Sequence, residues 1–168
     1  SNRTGRMFTG DDSGNFLYAA LYRSGFANRP EAINRNDGLT LKDIFITAVC
    51  RCVPPDNRPT PGEMRECQPF LEGELACFPH LIGVVALGRI AYEAIFRILY
   101  SGKKGRTPAA FGHGAFVEAA NGKPWILGSY HPSRQNTQTG RLTTQMFDEI
   151  WSKAARILQN STCVPGTK

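Results

Sequence analysis

The chain has 168 residues, of which 41% are hydrophobic and 20% are charged, and its net charge is +6. This composition excludes an intrinsically disordered chain, and the length predicts one domain that buries about two-thirds of its unfolded-chain surface. The positive charge suits a polyanionic partner without requiring one, whereas the lack of any apolar run near roughly 18 residues excludes a membrane-spanning helix from the sequence.

The first half of the sequence predicts a helix, a strand and a second helix. A turn at residues 10–14 precedes apolar residues that recur at helical spacing as far as Gly25. The continuously apolar, β-branched run Ile44–Val49 predicts a strand buried on both faces of a parallel sheet. After a Pro-rich loop, Pro61 is a favourable first helical residue, so a helix is predicted over Glu63–Leu75.

The second half continues this alternation. Leu81–Leu87 predicts another buried strand, and Ala91–Leu99 predicts the helix that follows it. Ala115–Ala119 and Trp125–Leu127 predict two strands joined through an Asn-Gly turn. Thr143–Leu158 predicts a final amphipathic helix.

Strands that alternate with helices predict an α/β fold with three layers, α/β/α, around a central, mainly parallel sheet. We expect this domain to occupy residues 1–160 and residues 161–168 to form a flexible tail. Ligands of such folds bind beyond the carboxyl ends of the strands. The turn at residues 10–11, the loop after Val49 and the segment His131-Pro132-Ser133 are all predicted to lie there.

Two residues at this edge are candidates for chemistry. His131 follows a buried strand, and the polar loop behind it favours an exposed, functional histidine over a structural one. Asp11 precedes a helix, where a carboxylate is more often a cap. Because Asp12 or Ser13 could cap the helix instead, we expect Asp11 to be free to face the site.

An aromatic residue and several basic residues are predicted at the same edge. Phe8 precedes the turn at residues 10–11 and is either a core residue or a platform on which a planar base stacks. The basic residues gather in three Gly- or Pro-rich segments, around Arg6, Lys103 and Arg141. Such segments predict loops, and loops on one rim of a sheet can converge on a phosphate backbone.

The five cysteines do not predict a disulfide framework, because their number is odd and the polar N-terminus resembles no secretory signal. Cys52 opens a loop and Cys67 lies on the following predicted helix, so the two thiols could approach each other. Zinc and iron–sulfur sites usually need four ligands. From their spacing alone, Cys52 and Cys67 could equally be two buried, unpaired thiols that bind no metal.

Four stretches occur together in an order that is specific to one family. They read NRTGRMFTGDDSG at residues 2–14, CVPPDN at 52–57, FGHG at 111–114 and HPSRQN at 131–136. With these stretches the chain resembles the type B (family five) uracil-DNA glycosylases of bacteria and archaea, within the wider uracil-DNA glycosylase superfamily. The resemblance extends from residue 2 to about residue 158.

The resemblance implies a base-excision repair enzyme that flips uracil, and other deaminated bases, out of duplex DNA and hydrolyses the N-glycosidic bond. Asp11 matches the catalytic carboxylate of the family, His131 the donor to the base carbonyl, and Phe8 the stacking aromatic. Gln135 matches the wedge that enters the DNA. The residues that match the DNA-binding loop are Ser133, Arg134, Gln135, Asn136 and Arg141.

The resemblance also implies a [4Fe-4S] cluster, because Cys52 and Cys67 match two of its four ligands. The other two ligands and the first motif of the family would precede Ser1. We therefore expect an N-terminally truncated member of the family, acting as a cytoplasmic monomer without membrane partners. Cys50 or Cys77 could substitute as a ligand, but neither matches the family spacing.

One departure from the family concerns selectivity. Ala48 stands where many relatives place an Asn that reads the Watson–Crick edge of uracil. Alanine makes no such hydrogen bonds, so we expect weak selectivity for uracil and a broad base range.

Two alternatives remain at this point. A truncated member of the family could bind DNA without catalysing excision. An unrelated Rossmann-like nucleotide-binding domain is disfavoured, because no G-x-G-x-x-G follows any predicted strand.

Overall fold

The computed structural model describes residues 4–51, 59–100 and 110–162. In chain order the elements are α1 (Asp12–Arg23), α2 (Pro61–Ala76), β1 (Gly83–Leu87), α3 (Arg89–Tyr100), β2 (Phe116–Val117), β3 (Trp125–Ser129), α4 (Arg134–Gln138) and α5 (Thr144–Thr162). Each of the four predicted helices is confirmed, and α4 is additional. Helix α5 extends two residues into the predicted tail, and residues 163–168 lie outside the described residues. Within the described ranges no helix is long and apolar enough to cross a membrane.

Local sequence signals explain several element boundaries. At the start of α2, Thr60 and Glu63 form a capping box, and Pro61 occupies the first turn, where no N–H is needed. Between β2 and β3, Asn121 and Gly122 have φ angles of 54° and 72°. Two successive positive φ angles are those of a type I′ turn, whose twist matches that of the antiparallel strands it joins.

The sheet described by the structure has the strand order β1-β3-β2 and is mixed. β1 and β3 are parallel, in a register that runs from Gly83 opposite Trp125 to Leu87 opposite Ser129. β2 is antiparallel to β3. Because Leu87 and Ser129 end neighbouring parallel strands, the segments that follow them emerge at the same edge of the sheet.

Two apolar cores lie on the opposite faces of this sheet. Trp125 and Leu127 of β3 pack with α1 and α5. Ile126, between them in sequence, faces the other way and packs with α2 and α3. Side chains alternate across a strand, so one five-residue strand contributes to both cores. The arrangement confirms the predicted three-layer α/β/α fold.

The predicted strand at residues 44–49 is wrong for this structure, because this segment has no regular secondary structure. Side chains hold it in place: Thr47 donates a hydrogen bond to Glu74 of α2, and the exposed ring of Phe45 lies 5.0 Å from that of Phe78. A β-branched run forms a strand only when a neighbouring strand accepts and donates its backbone hydrogen bonds. Within the described residues, β1 pairs only with β3, so residues 44–49 have no such partner.

Candidate functional site

His131 lies at the edge of the sheet where β1 and β3 both end. Gly88 follows β1 with a φ of 96°, and its N–H donates to the Ser129 carbonyl at 2.8 Å. A Cβ built on Gly88 would lie 3.4 Å from the Cβ of His131, so the turn after β1 packs closely against this histidine. The Asn136 side chain donates from Nδ2 to the His131 carbonyl at 2.8 Å. His131 is therefore held by the turn after β1 on one side and by Asn136 of α4 on the other.

The surroundings of His131 favour the neutral imidazole. Burial lowers the pKa of His131 below its ordinary value of 6.5, and the negative charge of Asp11 opposes this shift without cancelling it. At neutral pH the ring therefore carries one N–H donor and no net charge.

Asp11 is the N-cap of α1, and its Oδ1 accepts the Gly14 N–H at 2.7 Å. The prediction that Asp12 or Ser13 caps the helix is therefore wrong. Asp11 has an extended backbone, with φ −142° and ψ 166°, that directs its side chain over the helix end, whereas Asp12 is already helical. In the described part of the chain Asp11 Oδ2 accepts no hydrogen bond. The cap thus fixes the carboxylate and leaves one oxygen for the site.

Phe8 completes the group of residues at this edge. Its ring centroid lies 5.8 Å from that of His131, with 33° between the planes. Its φ is 53°, in the left-handed region that costs a side-chain-bearing residue roughly 1–2 kcal/mol. A Cβ built on Gly14 would lie 2.0 Å from the Phe8 carbonyl oxygen, so the first turn of α1 is in direct contact with Phe8. The structure therefore brings Phe8, Asp11 and His131 together, as their shared edge predicted.

His113, in the FGHG stretch, is a further residue near the site, and the sequence did not predict its role. The Tyr130 N–H donates to His113 Nδ1 at 3.3 Å, and His113 Nε2 lies 3.2 Å from the Met146 carbonyl of α5. Because an N–H can only donate, Nδ1 is the acceptor and the ring proton is on Nε2. His113 thus ties the residue that precedes His131 to α5. The two glycines that flank His113 were the available sequence signal.

The predicted DNA-binding residues lie on the surface after His131. Ser133 is the N-cap of α4, and its hydroxyl accepts from the Asn136 N–H. Gln135 is exposed on this short helix. The guanidinium of Arg134 is 3.0 Å from Asp12, and that of Arg141 lies over the Tyr130 ring at 4.8 Å. Arg134, Gln135 and Arg141 are exposed as expected, whereas Ser133, Asn136 and His131 itself are partly buried.

A groove of about 390 Å³ runs beside α4, between α1 and α5. It is lined by Asp12, Asn15, Phe16, Ala19, Arg23, Arg134, Thr137, Gln138 and Thr144. These residues do not include Phe8, Asp11 or His131. The groove therefore adjoins α4, which is predicted to bind DNA, but is distinct from the edge where Phe8 and His131 meet.

The sequence suggested that Arg6 belongs to a rim of free basic residues, but the structure shows that it does not. Its guanidinium is paired with Asp37, whose side chain is only 3% exposed. Of the other basic residues grouped with it, Lys103 lies outside the described residues, whereas Arg141 remains exposed.

The predicted metal ligands, Cys52 and Cys67, stay a prediction. Cys67 is a free, partly buried thiol on α2, and Cys52 lies outside the described residues. Over the described ranges, no three His, Cys, Asp or Glu side chains gather as a metal site. Cys77 donates its thiol to the Gly73 carbonyl at 3.3 Å. Cys67 supplies a sulfur donor of the type that iron–sulfur clusters require, but one donor cannot hold a cluster.

Ala48 lies in the irregular segment at residues 44–51 and is partly buried. Arg51, near the end of this segment, pairs with Glu74 of α2, which also accepts from Thr47. The segment is therefore anchored to α2 on both sides of Ala48. Its expected position at a base pocket stays a prediction.

Comparison with known protein sequences relates this chain to one family. The sequence profile of the Uracil DNA glycosylase superfamily matches residues 1–155. A Type-5 uracil-DNA glycosylase of Thermus thermophilus is 48% identical over 94% of this chain and 69% of its own length. Proteins of the same name from Mycobacterium bovis and Pyrobaculum aerophilum are 46% and 44% identical, over 94% and 92% of this chain. The chain spans 58% of the length of the mycobacterial relative and 65% of that of the Pyrobaculum relative.

Proposed function

The chain belongs to the uracil-DNA glycosylase superfamily, and from this membership we propose that the protein excises uracil from DNA by hydrolysing its N-glycosidic bond. Within the superfamily it belongs to the type-5 group. The observation that carries the proposal is the position of Phe8, whose ring lies 5.8 Å from that of His131 and whose backbone meets the Asp11 side chain at Gly14. These side chains offer an apolar ring face, a carboxylate and a neutral N–H donor. Each of the three can assist the excision of a base.

Phe8 is the proposed contact for the base. A base inside a duplex is covered by its neighbours, so the target nucleotide must be flipped out before its glycosidic bond can be reached. Flipping loses stacking worth a few kcal/mol, and an aromatic ring in the pocket restores part of it. The half-buried ring of Phe8, beside His131, offers such a face.

Asp11 is the proposed catalytic carboxylate. As the glycosidic bond breaks, the sugar acquires positive, oxocarbenium-like charge, which a nearby carboxylate stabilises. Oδ1 is held by the Gly14 N–H, so the carboxylate needs little reorganisation during the reaction. Oδ2 is then available to face the sugar or to orient the attacking water. The cap and the catalytic role are therefore compatible in one side chain.

His131 is the proposed donor to the departing base. Negative charge grows on the base carbonyl as the bond breaks, and a donor already aimed at that oxygen stabilises it. A lowered pKa keeps the imidazole neutral at pH 7, so one ring N–H donates to the carbonyl oxygen without a positive charge having to be held in this partly buried position. Removing one donor of this kind typically slows a reaction by about 10²–10³-fold.

The α4 segment is the proposed contact with duplex DNA, with Gln135 as the wedge that fills the space of the flipped base. Arg134 and Arg141 would contact phosphates, and Ser133 and Asn136 would shape the loop. The pair between Arg134 and Asp12 is solvent-exposed, at 70% and 61%. Exposed pairs contribute little stability, so exchanging Asp12 for a phosphate costs little.

The base range and the cofactor are also part of the proposal. Ala48 offers no amide to the Watson–Crick edge, which supports excision of other deaminated bases, such as hypoxanthine, besides uracil. Cys52 and Cys67 are the proposed ligands to a [4Fe-4S] cluster of structural role. The free thiol of Cys67 is consistent with this assignment. No step of the reaction depends on the cluster.

Single-turnover excision from a labelled duplex tests the function. The substrate carries uracil opposite guanine, the control carries thymine opposite adenine, and abasic sites are read by alkaline cleavage. We expect cleavage of the uracil strand only, reduced at least 100-fold in His131→Ala. Duplex binding without any cleavage would contradict the proposal and would favour a DNA-binding protein without glycosylase activity.

A further inference from the structure

Arg6 and Asp37 form a bidentate ion pair between residues that are 31 positions apart in the sequence. The two N–O distances are 3.0 and 2.6 Å, and the Asp37 side chain is only 3% exposed. The backbone N–H groups of Ile33, Asn34 and Leu39 also donate to this carboxylate. The Arg6 guanidinium, followed by these N–H groups, holds the pKa of Asp37 well below its ordinary value of 3.8. Asp37 therefore organises its own loop and binds Arg6 through the same two oxygens.

The other contacts of Arg6 lead to the segment that carries Phe8. Arg6 Nε donates to the buried Thr9 hydroxyl at 3.0 Å, and that hydroxyl donates to the Met7 carbonyl. The buried Tyr18 of α1 donates to the same Met7 carbonyl at 3.0 Å. Hydrogen bonds thus fix the residues on both sides of Phe8.

Phe8 itself has a backbone conformation that a residue with a large side chain does not favour. Its φ of 53° lies in the left-handed region, which side-chain-bearing residues avoid. Such a conformation persists only when the surrounding structure determines it by several contacts. The Arg6–Asp37 pair and the hydrogen bonds at Met7 and Thr9 supply such contacts, together with the approach of α1 at Gly14.

We propose that Arg6 and Asp37 are positioning residues that fix the Phe8 ring in the base site. The catalytic consequence rests on the proposed glycosylase function, whereas the structural consequence for Phe8 does not. A pair that served stability alone would have no selective effect on Phe8. The chain offers a matched control in Arg23 and Asp148, a second bidentate pair that is more exposed, at 41% and 31%, and that joins α1 to α5.

A double-mutant cycle tests the catalytic consequence. Single-turnover excision is measured for Asp37→Asn, Phe8→Leu and the double variant, at a temperature well below each Tm. Asparagine keeps the shape of Asp37 but loses the charge that holds the guanidinium fork. We expect Asp37→Asn alone to slow excision about tenfold with a less than twofold change in Kd for the duplex. In the Phe8→Leu background we expect less than about a twofold further effect, because residues that act as a unit are not additive.

A measurement without DNA tests the structural consequence. With 4-fluorophenylalanine at position 8, we expect one ¹⁹F resonance in the otherwise unchanged protein. Asp37→Asn should shift, broaden or split that resonance, whereas Asp148→Asn should leave it unchanged. If Asp37→Asn does not fold, Arg6→Lys replaces it, because lysine keeps the charge of Arg6 without its fork.

The two measurements separate the possible failures. The starting protein could fail to excise uracil while Asp37→Asn, but not Asp148→Asn, changes the ¹⁹F resonance. That result would contradict the glycosylase function and support the positioning role. An unchanged ¹⁹F resonance in folded Asp37→Asn would overturn the positioning role. So would rate effects of Asp37→Asn and Phe8→Leu that simply multiply in the double variant.

Discussion

Gly14→Ala should disrupt the site through a single methyl group. Gly14 is buried in the first turn of α1, and a Cβ there would lie 2.0 Å from the Phe8 carbonyl oxygen and 2.6 Å from its carbon. Cβ contacts under 3.0 Å essentially do not occur, so the Phe8 backbone must move away from α1 by at least the difference of 1.0 Å. The obstacle is backbone, which cannot yield by changing a rotamer. The same methyl group would lie 3.3 Å from Asp11 Oδ1.

The net effect on stability is a sum of three contributions. Alanine is favoured over glycine inside a helix by about 1 kcal/mol. Overpacking opposes this by about 1–3 kcal/mol. Disturbing the Asp11 cap opposes it by about 1 kcal/mol more. We therefore expect Gly14→Ala to lower the free energy of unfolding by about 1–3 kcal/mol, which for a domain of this size lowers Tm by roughly 4–8 °C at the middle of that range.

The effect on excision should be larger than the effect on stability. Misplacing reacting groups by about 1 Å can slow a reaction about 100-fold, and the displaced backbone carries Phe8. Thermal unfolding followed by circular dichroism gives Tm, and single-turnover excision of uracil gives the rate at a temperature where the variant is folded. Gly73→Ala is the matched control, because Gly73 is exposed on α2 and a Cβ there meets nothing within 4 Å. It should leave the rate unchanged and raise stability by up to about 1 kcal/mol. A Gly14→Ala protein with unchanged Tm and rate would refute the close approach of α1 to Phe8.

Further predictions concern Asp11, His131, the proposed cluster and Ala48. Asp11→Asn should slow single-turnover excision about 100-fold or more without lowering Tm or duplex affinity, because asparagine is an equally good N-cap; a near-wild-type rate would reduce Asp11 to a cap. Since burial lowers the pKa of His131, the excision rate should stay level through pH 6.5 and fall only at lower pH, where the folded protein protonates His131. Stability should decline over the same range below pH 6.5, because the unfolded chain takes up that proton first, and a pH–stability profile of His131→Asn should lack this contribution. A protein that carries this chain together with all four expected ligands should be brown from a bound [4Fe-4S] cluster, and Cys52→Ala should abolish the colour. If that protein is colourless and contains stoichiometric zinc, the cluster assignment is contradicted. Ala48→Asn should sharpen the preference for uracil, and the starting protein should prefer uracil opposite guanine to uracil opposite adenine, since weaker pairs flip at lower cost; strict uracil specificity with equal rates opposite both partners would exclude this role of Ala48.

The sequence alone predicted the features that neighbouring residues encode. Pro61 predicted the start of α2, and the Asn121-Gly122 turn predicted the pairing of β2 with β3. Periodic apolar residues predicted the helices on both faces of the sheet. The end of β3 then predicted the edge at which His131 lies, because parallel strands present their carboxyl ends together.

Only the tertiary structure decided the features that depend on distant residues. Residues 44–49 have the composition of a strand, but a strand also needs a partner, which β1 does not supply in the described residues. The choice of Asp11 over Asp12 as cap depends on backbone angles that the contact between Phe8 and Gly14 helps to fix. Arg6 looked like a phosphate ligand because its partner Asp37 lies 31 residues away, in a loop with no periodic pattern. Caps, turns and periodicity are interactions over a few residues and can be read from the sequence, whereas strand partners and buried ion pairs arise only when packing brings separate segments together.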